Sequence, residues 1–181
     1  MLINKEDSLV LLVDVQQKLT PFVLNHQQII DRCEWLLKLA KKMDVPVLAS
    51  EQYPKGLGAT VEQLSSYVAK EDYIEKIHFS CMQQPDYVQR LQSYKKKQLI
   101  VIGIEAHVCV LQTVLEMKRV GFEVYVVVDA VSSRHKVDLK YALKRMTQEG
   151  VRLVTAEMVF FEWLKHAGSP DFKSLSKEFL Q

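Results

Sequence analysis

Short apolar runs alternate with longer helical patterns along these 181 residues, and no other feature narrows the choice of fold so far. Residues 8–14 form an unbroken β-type run ending in Asp14, the pattern of a strand covered on both faces. Between Gln27 and Met43, the apolar positions Ile29, Ile30, Cys33, Leu36, Leu37 and Ala40 fall at helical spacing. Residues 45–49 read as a second strand, with Pro46 near its start where a missing donor is tolerated. Residues 50–60, rich in Gly, Pro and polar side chains, read as an exposed loop. A short strand over 73–76, a helix after Pro85 and an apolar strand over 98–103 come next. A helix over 108–120 stopped by Gly121, a strand over 123–128, a helix over 136–148 and a strand over 151–154 complete the series. Right-handed crossovers pack each helix back on the sheet, so the alternation implies parallel strands with helices on both faces. The expected fold class is therefore α/β, a three-layer α/β/α doubly wound (Rossmann-like) parallel sheet. No linker, repeat or low-complexity segment interrupts the pattern, which makes residues 1–181 a single domain.

In such folds ligands gather at the carboxyl ends of the strands, near the point where strand order reverses. That rule selects Asp14, at the end of the first strand, and Cys109, just past the Gly103 strand end at a predicted helix start. A thiol at a helix start meets free backbone N–H groups and the positive end of the helix dipole, which favour the reactive thiolate. Each residue also has an ordinary structural reading. Asp14 serves equally as a helix cap or turn residue, Cys109 as a small buried hydrophobe, and Lys76 as a surface lysine.

Charge and cysteine usage exclude several classes. Twenty-four basic against 22 acidic side chains leave a net charge of +2, which gives no footprint for nucleic acid or an anionic membrane. The one basic run, Lys95 to Lys97, reads as a solvated turn. Residues 1–7 lack a secretory pattern, and apolar runs such as Leu9 to Val13 are far too short to span a bilayer. Three cysteines, Cys33, Cys81 and Cys109, form no CxxC pair and leave an odd thiol, so a reducing, cytoplasmic compartment is expected.

Four segments, in order, carry a resemblance to a known family: Val13-Asp14-Val15-Gln16; Glu75-Lys76-Ile77-His78-Phe79-Ser80; Gly103-Ile104-Glu105-Ala106-His107-Val108-Cys109-Val110; and Val128-Asp129-Ala130-Val131-Ser132-Ser133-Arg134. Together they resemble the isochorismatase-like cysteine hydrolases, which include nicotinamidases and carbamoyl-type amidohydrolases. Ser50 to Gly58, Ser-Glu-Gln-Tyr-Pro-Lys-Gly-Leu-Gly, looks like the segment of a small uncharacterised subgroup. The resemblance implies a hydrolase with a catalytic Asp14, Lys76 and Cys109. It also implies a cis peptide between Ile104 and Glu105, with the amides of Glu105 and Cys109 as the oxyanion hole. Gln16, Leu19 and Phe22 are expected to line a substrate pocket, although core packing serves Leu19 and Phe22 nearly as well. Gln52 and Tyr53 would close its mouth. His107 is expected at the pocket rim rather than as the base of a Cys–His pair.

Nicotinamidases of this family hold a metal through an Asp-x-His pair. Gln52 and Pro54 stand at the matching positions, and the five histidines are scattered, so no metal and no cofactor are expected. The expected partner is a small-molecule substrate, an amide, imide or carbamoyl compound attacked to give a covalent thioester. The family's habit, together with the apolar stretch Met158 to Leu164, points to a homo-oligomer, with ordinary core packing as the other use of that stretch. Two further readings remain open from these residues: a non-catalytic scaffold with a vestigial triad, and a thiol redox sensor with Cys81 as the resolving partner.

Overall fold

The computed structural model describes residues 1–180. Six strands form one sheet: β1 (Ser8–Val13), β2 (Val47–Gln52), β3 (Tyr73–Lys76), β4 (Gln98–Ile104), β5 (Glu123–Ser132) and β6 (Arg152–Val154). Every pairing is parallel, and the order is β3-β2-β1-β4-β5-β6. The order reverses between β1 and β4, whose partners run from Ser8↔Gln98 to Val13↔Gly103. Eight α-helices accompany the sheet: α1 (His26–Lys42), α2 (Pro54–Leu57), α3 (Glu62–Ser65), α4 (Pro85–Ser93), α5 (Leu111–Arg119), α6 (Lys136–Gln148), α7 (Ala156–Leu164) and α8 (Pro170–Phe179).

Alternation along each strand divides the apolar residues between two cores. Val10, Leu12, Ile100, Ile102 and Val127 pack with α1, α7 and α8, whereas Leu9, Leu11, Leu99, Val101 and Val126 pack with α4, α5 and α6. All six residues of β1 are buried, which is why that run carries no polar positions at its centre. The three-layer α/β/α arrangement expected from the alternation is therefore the observed one. No helix among the described residues is long and apolar enough to cross a membrane.

Several boundaries differ from expectation. β2 continues through Ser50, Glu51 and Gln52, residues that looked like loop, because their polar side chains find partners inside the fold. β5 runs on to Ser132, and its register with β4 jumps between Val101↔Val126 and Gly103↔Val131. Within that irregular stretch Asp129 pairs with Arg32 at 3.1 Å and accepts the Ala156 N–H at 2.9 Å, so it anchors helices rather than facing the strand-end site. In the stretch Met158 to Leu164, Val159, Phe160, Trp163 and Leu164 are buried, and α8 supplies Leu175 and Phe179 to the same core. Met158 and Phe161 stay 45% exposed.

Candidate active site

The end of β1 is where buried charge concentrates. Asp14 follows the strand in the left-handed region, with φ 51°, and is fully buried. A carboxylate taken out of water must find hydrogen-bond donors. Ser50 Oγ donates to Asp14 Oδ1 at 2.7 Å, and Lys76 Nζ donates to Oδ2 at 2.7 Å. The Cys109 thiol lies beside the same carboxylate, close enough for each group to bear on the other's pKa. Residues distant in the chain thus meet because β1 lies between β2 and β4.

Lys76 ends β3, and its side chain has no solvent exposure. Its ammonium is ringed by Asp14 Oδ2, Gln52 Oε1 at 2.7 Å, the Phe79 carbonyl at 3.0 Å and the His78 carbonyl at 3.3 Å. A side chain with three protons and no acceptor is thereby fully engaged. Burial alone would lower the Lys76 pKa, but the charge of Asp14 reverses this and the net direction is up. Lys76 is a fixed cation. For Asp14, burial pushes the pKa up, while Lys76 and the Ser50 bond pull only part of the way back.

Cys109 lies in a π-helical turn, Ala106–Val110, that precedes α5, and it is 5% exposed. The expectation of a dipole-stabilised thiolate is corrected here. Burial pushes the thiol pKa up, the Asp14 charge pushes it further, and Lys76 opposes them without prevailing. The resting group is a protonated thiol beside a carboxylate, poised to hand its proton over during attack. The Ile104–Glu105 peptide just before the turn is cis.

Other expected pocket residues are placed differently. Gln16 is fully buried; its amide donates to the Gln52 and Gly58 carbonyls at 3.0 and 2.6 Å, and its oxygen accepts the Gln52 N–H at 2.7 Å. It braces the β2 end instead of lining a pocket. Leu19 belongs to the core beside α1, and Phe22 is 68% exposed at the surface. Gln52 spends its oxygen on Lys76 and its amide on the Ile77 carbonyl at 2.6 Å. Tyr53 is half exposed and lines a cleft of about 310 Å³ with Pro54, Lys55, Glu75, Lys76, Ile77 and Gln84, so the cleft borders the site through Lys76, although neither Asp14 nor Cys109 lines it. His107 Nδ1 sits 3.0 Å from Ser133 Oγ, which ties the imidazole to the segment after β5 and not to the thiol.

Sequence reasoning overlooked Ser50 as a partner of Asp14, and it overlooked the pairing of Glu105 with Arg134. Buried Glu105 receives Arg134 Nε at 3.0 Å and Nη2 at 2.9 Å, joining the segments that follow β4 and β5. The signal for Ser50 was cross-strand register, since Val13 pairs with Ser50, and register is not visible without the strand order.

Residues 8–158 match the isochorismatase domain family. The chain belongs to that family. The isochorismatase domain-containing protein 2A of Mus musculus is 38% identical over 173 residues, covering 95% of this chain and 82% of the mouse protein. The MAR1 ribonuclease of Caenorhabditis elegans superposes with TM-score 0.92 at 37% identity, covering 100% of this chain and 93% of the worm chain. YcaC of Escherichia coli, described as an octameric hydrolase of unknown specificity, gives TM-score 0.89 at 26% identity, with 99% and 96% covered. YcaC of Pseudomonas aeruginosa, solved with hexane-2,5-diol and covalent acrylamide, gives 0.88 at 25% identity, with 99% and 98% covered. The isochorismatase fold is hydrolase-like, and its strand ends carry the buried Asp14–Lys76 pair.

Replacing Lys76 by Met tests that pair. The variant leaves Asp14 buried without its cation, a loss of about 3–5 kcal/mol for a broken buried pair. A thermal melt is expected to show the fall at neutral pH. The deficit should shrink in acid, where a protonated Asp14 no longer needs the cation.

Proposed function

We propose that this isochorismatase-family chain is a cysteine hydrolase acting on a small amide, imide or carbamoyl-type substrate. The observation that carries the reading is the buried Asp14–Lys76 pair at the β1–β4 switch point, with Cys109 beside it and the lysine locked in its charged form. Asp14 takes the thiol proton as the Cys109 sulfur bonds to the substrate carbonyl carbon. The oxygen of that carbonyl gains the negative charge, for which the Glu105 and Cys109 amides are the assigned donors. The carbon–nitrogen bond then breaks, Asp14 returns the proton to the leaving amine, and a thioester remains. Water attacks the thioester, Asp14 accepts a proton from it, and the thiol leaves reprotonated. Lys76 holds Asp14 in place and limits the charge that builds up around it.

A small uncharged substrate fits the local charges. Lys76 is consumed by Asp14 and Arg134 by Glu105, so neither cation is left to receive a phosphodiester. Nucleic acid is accordingly not the proposed substrate, although the worm relative carries a ribonuclease name. No cofactor enters the scheme: Gln52 is committed to Lys76, and no group of three or more His, Cys, Asp or Glu side chains is placed to hold a metal ion among the described residues. A homo-oligomer is proposed on the precedent of the octameric bacterial relative, and a cytoplasmic setting on the unpaired thiols.

The test is acrylamide labelling followed by intact-mass and peptide analysis, with ammonia release measured over a panel of small amides, ureides and carbamates. Labelling confined to Cys109 is expected, with a rate that rises with pH as Asp14 loses its proton. Because the Asp14 pKa is raised, that rise lies above the ordinary aspartate value of about 3.9. Labelling no faster at Cys109 than at Cys33 would instead favour a scaffold, and a Cys81–Cys109 disulfide under mild peroxide would favour a sensor.

A further inference from the structure

We propose that Ser50 is a positioning residue of the proton transfer between Cys109 and Asp14, an inference that rests on the hydrolase reading above. Ser50 is 1% exposed on β2, directly across from Val13. It grips Asp14 twice: the Asp14 N–H donates to the Ser50 carbonyl at 3.1 Å, and the Ser50 hydroxyl donates to Oδ1 at 2.7 Å. Since Lys76 occupies Oδ2, the two oxygens are held from separate strands and the carboxylate plane cannot turn freely. Asp14 stands in a left-handed backbone conformation at the strand end, where chain geometry alone would fix its side chain poorly.

The hydroxyl has one proton to give, and its direction matters. Near Ser50 lies the buried Cys81, whose N–H is held by Thr113 Oγ1 at 2.9 Å. An ionised carboxylate can only accept, so the proton of the 2.7 Å Ser50–Asp14 contact belongs to the serine and is aimed at Asp14. A hydrogen bond donated to a carboxylate favours its ionised form and so offsets part of what burial imposes. Ser50 therefore does two things for the base. It keeps Asp14 ionised at lower pH, and it holds the carboxylate where the Cys109 proton can reach it. The proton passes from Cys109 Sγ to Asp14 as the sulfur–carbon bond forms; Ser50 itself gains and loses nothing.

The experiment is the pH dependence of acrylamide alkylation at Cys109 in the full chain, compared for the native protein and the Ser50→Ala, Ser50→Thr and Asp14→Asn variants. Losing a hydrogen bond to a charged group shifts a pKa by about one unit or slightly more. For Ser50→Ala the rising limb should move up by about one pH unit, with labelling on its lower slope falling about tenfold. The high-pH plateau, where Asp14 is fully ionised, should fall as well, since the carboxylate has lost one of the two anchors that aim it at the thiol. Ser50→Thr, which restores the hydroxyl, should bring the limb back. A loosened core alone would change the melting temperature without moving the limb, so the profile separates positioning from packing. An unmoved limb in Ser50→Ala, while Asp14→Asn abolishes it, overturns the role of Ser50 and leaves the hydrolase reading standing. A profile unchanged in Asp14→Asn overturns that reading itself.

Discussion

Cys109→Ala is expected to lower hydrolysis of any substrate found in the amide panel by about 10⁵-fold or more, the scale seen when a nucleophile is removed from an enzyme that forms a covalent intermediate. That corresponds to about 7 kcal/mol of lost transition-state stabilisation. The same variant should show no acrylamide adduct under conditions that label the native chain completely. The second expectation follows from exposure: Cys33 and Cys81 are both at 0%, and Cys109 alone of the three cysteines has any solvent exposure. Burial drives the Cys33 pKa upward, with Asp129 adding to it, so Cys33 offers little thiolate. The fold should survive, because an alanine leaves the π-turn backbone bonds from Val108 and Val110 to the Glu105 carbonyl untouched. A melting temperature within a few degrees of the native value, with no adduct and no turnover, is the combined outcome. Adduct formation at an undiminished rate would move the nucleophile elsewhere.

The sheet was legible because its central strands are buried on both faces. β1 and β4 read as unbroken apolar runs, and their neighbours repeat the pattern more weakly. Asp14 and Cys109 were legible too, because strand ends at a reversal of order attract ligands and both residues sit there. What the chain hides is everything that depends on register. Gln52 looks like a loop residue facing a substrate until β2 and β3 are aligned, when its pairing with Lys76 places its side chain on the ammonium. Ser50 opens a segment with a family resemblance but gives no local sign that it binds Asp14, since a serine after an apolar run is ordinary. The charge state of Cys109 is hidden for a different reason: a helix start favours a thiolate, and only the folded site sets against it the burial of the thiol beside a carboxylate. The helix over 170–179 is capped by Ser169 and packs Phe172, Leu175 and Phe179 on its inner side.

Gly103→Ala should be the most destabilising single substitution at the site, costing upwards of about 5 kcal/mol, a size reserved for a few identifiable mechanisms. Gly103 has φ +120°, which side-chain-bearing residues rarely adopt. An added Cβ would lie 2.1 Å from the Val13 carbonyl oxygen, 2.7 Å from its nitrogen and 2.9 Å from its carbonyl carbon. Those atoms are backbone of the paired strand, so no rotamer change relieves the clash. Val13 immediately precedes Asp14, and any retreat of β1 carries the carboxylate away from Ser50, Lys76 and Cys109 together. The cost is a large share of the roughly 5–15 kcal/mol that holds most domains folded, so the melting temperature should fall by about 10–20 °C or the chain should fail to accumulate. Gly121→Ala provides the contrast. Gly121 also has positive φ, at +97°, yet nothing lies within 4 Å of its would-be Cβ. Its variant should lose only about 1–2 kcal/mol, the backbone penalty alone. Equal losses at the two positions would mean that β1 and β4 do not approach as closely as the site requires, and the meeting of Asp14 with Cys109 would go with them.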